Sequence, residues 1–112
     1  MINKESFRDN FRYYDKSIVL QVIDIFLDEY PDRLIELEKN VSELDYPAID
    51  NNAHSFKGAV AYMSPLVAEL ARKLEFMGKE QSNGGIIETF EELRSVTRLL
   101  ANDLKDIRTE YL

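Results

Sequence analysis

From Ile18 onward the apolar residues of this chain recur at helical spacing. Ile18, Val19, Val22, Ile23, Phe26, Leu27 and Tyr30 follow the i, i+3, i+4, i+7, i+8 pattern of a helix packed along one face. The pattern resumes beyond Pro31 at Leu34, Ile35, Leu37, Val41 and Leu44. No segment shows the strict alternation of a half-buried strand. The 112 residues include only three prolines and four glycines, so helices have few places to stop. Such a chain is confined to all-α architectures, in which each helix must bury its stripe against another helix.

Start and stop signals divide the sequence into five helical segments. A short one is predicted over 4–14, with Asn3 as N-cap and Phe7, Phe11 and Tyr14 on one stripe. A second follows Asp15, another N-cap residue. Pro31 predicts a bend or brief break in it, because proline inside a helix removes a hydrogen bond and crowds the preceding turn. The third covers 46–63, with Asp45 as N-cap and Pro47 in the first turn. The fourth begins at "SPLVAEL", with Ser64 as N-cap and Pro65 at the first helical position, and ends near Glu80. "QSNGG", 81–85, is the clearest loop. The fifth covers 86–107, with Ile87, Phe90, Leu93, Val96, Leu99, Leu100 and Leu104 on its buried side. Long amphipathic helices with short connections predict an up-and-down four-helix bundle. The additional short N-terminal helix covers one end or side of it. The length suits one domain.

Composition narrows the function. A net charge of -7 and a pI near 4.7 repel phosphate backbones, so nucleic acid is not an expected partner. There is no cysteine and one histidine, which excludes thiolate and multi-histidine metal sites. No calcium-loop spacing is present. No apolar run approaches the roughly 20 residues that span a bilayer, and the N-terminus lacks a signal-type apolar stretch. The chain is expected to be cytoplasmic, without direct membrane insertion. A piece cut from a larger membrane protein would share these features. No nucleophile–base pair, metal-spaced carboxylate cluster or glycine-rich phosphate loop points to an enzyme. The many carboxylates read as solvating charge on exposed helix faces.

The single histidine lies in "NNAHSFKGAVAYM", 51–63. At 100° per residue, Pro47, Asp50, Asn51, Lys57, Gly58 and Ala61 share the face of His54. Ile49, Asn52, Phe56, Ala59, Val60 and Met63 form the opposite, core face. Periodicity alone therefore puts His54 at the surface. Side chains lean toward the helix N-terminus, so Lys57 reaches back toward the imidazole. A side chain at position 58 would lean there too, and glycine leaves the space empty. Glycine inside a helix costs roughly 1 kcal/mol relative to alanine. Two reasons could offset that: close approach of another helix, or room beside the imidazole for something bulky and anionic.

"AHSFKG" resembles the signature of the histidine-containing phosphotransfer (HPt) domain, AHxLKG followed by small residues. The resemblance extends along nearly the whole chain. "DIFLDEYPDRLIELEKNVSELDYPAI" is similar to the family's first long helices. "LARKLEFMGKE" is similar to its fourth, where a leucine–glutamate pair leads to a glycine and a basic residue. Residues 1–112 are then a single histidine phosphotransfer domain. The resemblance implies a phosphorelay intermediate of two-component signalling. His54 would accept a phosphoryl group from the aspartyl phosphate of one receiver domain and pass it to the aspartate of another. Lys57 would contact the phosphoryl oxygens, and Gly58 would give access. The chain would be a stoichiometric carrier and not an enzyme, with no cofactor of its own. Magnesium would belong to the receiver's acidic pocket. The implied partners are response-regulator receiver domains and a hybrid sensor histidine kinase, with the chain itself a monomer.

The sequence departs from the family pattern in places. Ser64 and Pro65 stand where a glycine usually closes the histidine helix. The span from His54 to Leu74 and Glu75 is one residue short, predicting a tighter connection. Asn52 occupies a core-face position where an apolar residue is common. The alternative reading is a non-phosphorylated docking module of the same fold, against which the presence of His54 argues. For the phosphate carrier, Nε2 is the expected attacking nitrogen, with Asp50 one turn earlier as a partner for Nδ1. Receiver docking is expected to be mainly apolar, on the small residues around His54, including Ala61, with side chains from neighbouring helices, and added salt to leave affinity unchanged or improve it.

Overall fold

The computed structural model describes residues 2–112. Among the described residues the chain forms five α-helices and one 3-10 turn, and no strand. The helices are α1 (Lys4–Asn10), α2 (Lys16–Ser42), α3 (Tyr46–Val60), α4 (Pro65–Lys79) and α5 (Ile86–Arg108), with the turn at Thr109–Tyr111. Each long helix packs on its chain neighbours, and α5 closes the ring against α2. This is the expected up-and-down four-helix bundle with a short N-terminal helix.

The local signals act as their chemistry requires. Asn3 accepts from the Ser6 amide at 3.0 Å, Asp45 from the Ala48 amide at 3.3 Å and Ser64 from the Val67 amide at 3.3 Å. Each satisfies a donor left unpaired at a helix start. Asp15 stands at the N-cap of α2 but makes no such bond. α5 is entered through Gly85, at φ +78, a left-handed conformation that glycine adopts without steric cost. α1 is shorter than its stripe implied, ending at Asn10. Phe7 and Phe11 are buried, whereas Tyr14 lies outside the helix and is mostly exposed. The Phe7 ring meets Phe11 at 4.7 Å and Tyr111 at 6.2 Å, and Arg8 forms a two-pronged pair with Glu110. α1 is thus fastened to the 3-10 turn that follows α5.

The break predicted at Pro31 does not occur: α2 runs through it from Lys16 to Ser42. Proline's fixed φ is itself helical, and the ring deletes only one backbone donor. Packing against α3 and α5 supports α2 as one continuous helix. The buried face of α5 is also corrected. Ile87 and Leu99 are exposed, while Ile86, Thr97 and Ala101 join Phe90, Leu93, Leu100, Leu104 and Ile107 inside. The bundle uses a stripe narrower than the spread of apolar residues along the helix. Ile35 of α2 is exposed for the same reason. On α3 the buried residues are Ile49, Ala53, Phe56 and Val60. Asn52 is half-buried and donates to the buried Asn40 of α2 at 2.6 Å, so its amide is satisfied where an apolar group would have packed.

Candidate functional site

α3 turns Phe56 into the core, which fixes its outer face toward α4 and solvent. His54 projects there, with 68% of its side chain exposed. The partner of its inner nitrogen comes from the next helix. His54 Nδ1 lies 2.7 Å from Oε2 of Glu75, and Lys57 Nζ lies 2.7 Å from Oε1 of the same carboxylate. Lys79, one turn further along α4, approaches Oε2 at 3.6 Å. The expected contact with Asp50 is therefore replaced by one across the helix pair.

Glu75 is the buried member of this group, with 5% of its side chain exposed. Burial by itself would raise its pKa. Hydrogen bonds from Lys57 and His54 outweigh burial and hold it at about 2. The carboxylate is ionised at neutral pH and can only accept. The neutral imidazole must then carry its proton on Nδ1, which leaves the lone pair on Nε2, facing outward. Glu75 thus selects the tautomer, orients the ring and anchors Lys57 beside it. A hollow of about 270 Å³ opens over the group, rimmed by Arg72, Phe76 and Lys79 of α4. Among the described residues no cluster of three or more histidine and acidic side chains is arranged to hold a metal ion. Among the described residues no helix is long and apolar enough to cross a membrane.

Comparison with known proteins gives the family and the fold. Residues 21–110 match the family model of the Hpt domain. The chain belongs to the Hpt domain family. Its role therefore lies in phosphotransfer. A search of the curated proteins gave no match. Among solved structures the chain is similar to the crystal structure of histidine-containing phosphotransfer protein B from Pseudomonas aeruginosa PAO1. The TM-score is 0.88 at 20% identity, over 99% of this chain and 96% of that one. At that identity the likeness speaks for the fold.

Within this Hpt domain, Gly58 lies one turn beyond His54 on the same face. A β-carbon there would meet nothing within 4 Å beyond its own helix backbone. Of the two reasons open for a glycine at this position, close approach of a neighbouring helix is absent. Lys57 is beside His54 as expected, but its ammonium is engaged by Glu75. Sequence reasoning missed Glu75 by counting it among solvated carboxylates. The signal was present: Glu75 falls in phase with the buried Ala71, Leu74 and Gly78 of α4, and a carboxylate on a buried stripe requires a cationic partner.

Proposed function

We propose that His54 accepts a phosphoryl group from the aspartyl phosphate of a receiver domain and passes it to the aspartate of another. The observation that carries this reading is the exposed imidazole whose Nδ1 is held by a buried, ionised carboxylate. The Nε2 lone pair attacks phosphorus as the phosphorus–oxygen bond to the donor aspartate breaks, and its electrons leave with the carboxylate. No proton has to depart, because the ring enters with Nδ1 protonated and Nε2 free. The resulting phosphoimidazolium is cationic in the ring, and Glu75 sits against that charge. In the second transfer an acceptor carboxylate attacks phosphorus and the bonding pair returns to Nε2.

The phosphoryl group brings a charge of about -1.5 to -2. Lys57 and Lys79 flank the imidazole and are the cations placed to meet it. Lys57 would exchange part of its bond to Glu75 for the phosphoryl oxygens. Gly58 leaves room for the partner's approach. Magnesium is assigned to the receiver, whose acidic pocket supplies its ligands, and the chain acts as a carrier without turnover of its own. The test is incubation with a phosphorylated receiver, followed by measurement of acid-labile phosphate on this protein. The expected result is a single labelled site that disappears in His54→Gln. Label that persists in that variant contradicts the assignment.

A further inference from the structure

The docking surface expected from the sequence was mainly apolar: the small residues around His54, with side chains from neighbouring helices. The surroundings of His54 differ from that expectation in charge. The chain carries a net charge of -7, yet the cations Lys57, Arg72, Lys73 and Lys79 gather on the histidine side of the α3–α4 pair. The carboxylates among them are already engaged: Glu75 by His54 and Lys57, and Glu69 by both prongs of Arg72, at 2.9 and 2.6 Å. Lys73 makes no ion pair among the described residues. In the midst of these charges stands Phe76, 57% exposed. Phe76 forms the ridge between two hollows. One is the hollow over His54. The other, about 250 Å³, lies on its far side and is lined by Arg72, Lys73 and Met77.

We propose that this ridge of α4, Phe76 with Lys73 and Arg72 beside it, is a docking surface for the acidic rim of the partner receiver. The proposal rests on the phosphotransfer reading above. The occupant follows from chemistry: the group that exchanges phosphate with His54 is an aspartate, so the partner presents carboxylates at the point of contact. A cationic strip continuous with the histidine complements them, on a molecule whose net charge would otherwise repel them. An exposed aromatic ring between two hollows supplies the apolar anchor that a small interface needs. Binding is therefore charge-assisted and weakens with salt.

The test separates docking from phosphate chemistry. Receiver domains encoded in the same genome, phosphorylated with acetyl phosphate, serve as protein donors, and phosphoramidate serves as the small donor. Phe76→Ala and Lys73→Glu leave His54, Glu75 and Lys57 in place. Each is expected to raise the receiver concentration for half-maximal transfer by about tenfold while phosphoramidate labelling stays within about twofold of the parent. For the parent, raising salt from about 50 to about 300 mM weakens receiver binding several-fold, as screening shortens the reach of the cations. Receiver transfer unchanged in both variants overturns the docking surface, as does binding indifferent to salt. Loss of labelling from both donors in the variants also overturns it, since the ridge would then support the histidine itself. A parent that takes label from neither donor overturns the phosphotransfer reading, and the surface with it.

Discussion

Gly58 near the end of α3 and Gly78 near the end of α4 occupy similar places in neighbouring helices, and each forgoes roughly 1 kcal/mol that alanine would contribute there. Their surroundings are opposite. Around Gly58 there is open space. At Gly78 a β-carbon would lie 2.7 Å from the amide nitrogen of Asp50 and 3.0 Å from the carbonyl oxygen of Tyr46. These are backbone atoms of the first turn of α3, which cannot swing aside. Gly78 lets two helices touch, whereas Gly58 faces open space, as the proposed access of a partner requires. The two are linked through the site. Asp50 lies one turn before His54, and Gly78 lies one turn after Glu75. The close contact at Gly78 therefore sets the spacing at which Glu75 reaches the imidazole.

The most drastic way to break this comparison is to fill the tight position. Gly78→Leu is expected to abolish cooperative folding. Gly78→Ala should lower stability by about 1–3 kcal/mol in urea denaturation, as an overpacked contact does. A Gly78→Ala protein as stable as the parent would show that α4 can move away from α3 at no cost. The open position should respond in the opposite sense. Gly58→Ala is expected to raise stability by up to about 1 kcal/mol. Gly58→Leu should melt cooperatively with parental helical circular dichroism, yet accept phosphate from a receiver poorly. Unfolding of Gly58→Leu, or transfer at the parental rate, would remove the distinction between the two glycines.

A third prediction concerns the acid limb of stability, where the charged contact between α3 and α4 can be told from the packed one. The folded-state pKa of Glu75, about 2, lies below its ordinary value of 4.5. A carboxylate with a depressed pKa adds stability that is full above the unfolded pKa. That stability is lost as pH falls through the folded one. Glu75 should therefore contribute fully at neutral pH and lose its contribution between about pH 4.5 and 2. Contact at Gly78 involves no titrating atom and should persist through that window. Glu75→Gln should be less stable at neutral pH, because Lys57 loses its counter-charge, and should show a shallower fall on acidification. An identical acid limb in both proteins would mean that Glu75 is not the group being titrated.

The fold was legible in the sequence because its determinants are local. Helix starts at Asn3, Asp45 and Ser64 depend on a side chain and an amide three residues away. Periodicity over many turns then leaves only the bundle. No break occurs at Pro31 because its penalty is local, while α2 is also held by two other helices. Ile87 and Leu99 misled because apolar character does not say how wide the buried stripe is. At the site, His54, Lys57 and Gly58 were readable since they lie within two turns of one helix. Glu75 is 21 residues from His54, and its role exists only once α4 lies against α3. The two glycines carry the same lesson. Periodicity put Gly58 opposite the core face of α3, but how tightly Gly78 is enclosed is decided by a second helix.

In the proposed function a buried carboxylate holds Nδ1 of the sole histidine and presents Nε2 for phosphorylation. With one histidine in the chain, a long-range proton–nitrogen NMR spectrum of 15N-histidine-labelled protein contains His54 alone. Spectra taken before and after treatment with phosphoramidate test the claim without any partner protein. Expected are, for the neutral ring, a proton on Nδ1, and after treatment phosphate bonded to Nε2 with Nδ1 still protonated. A ring protonated at Nε2, or phosphate on Nδ1, would contradict it.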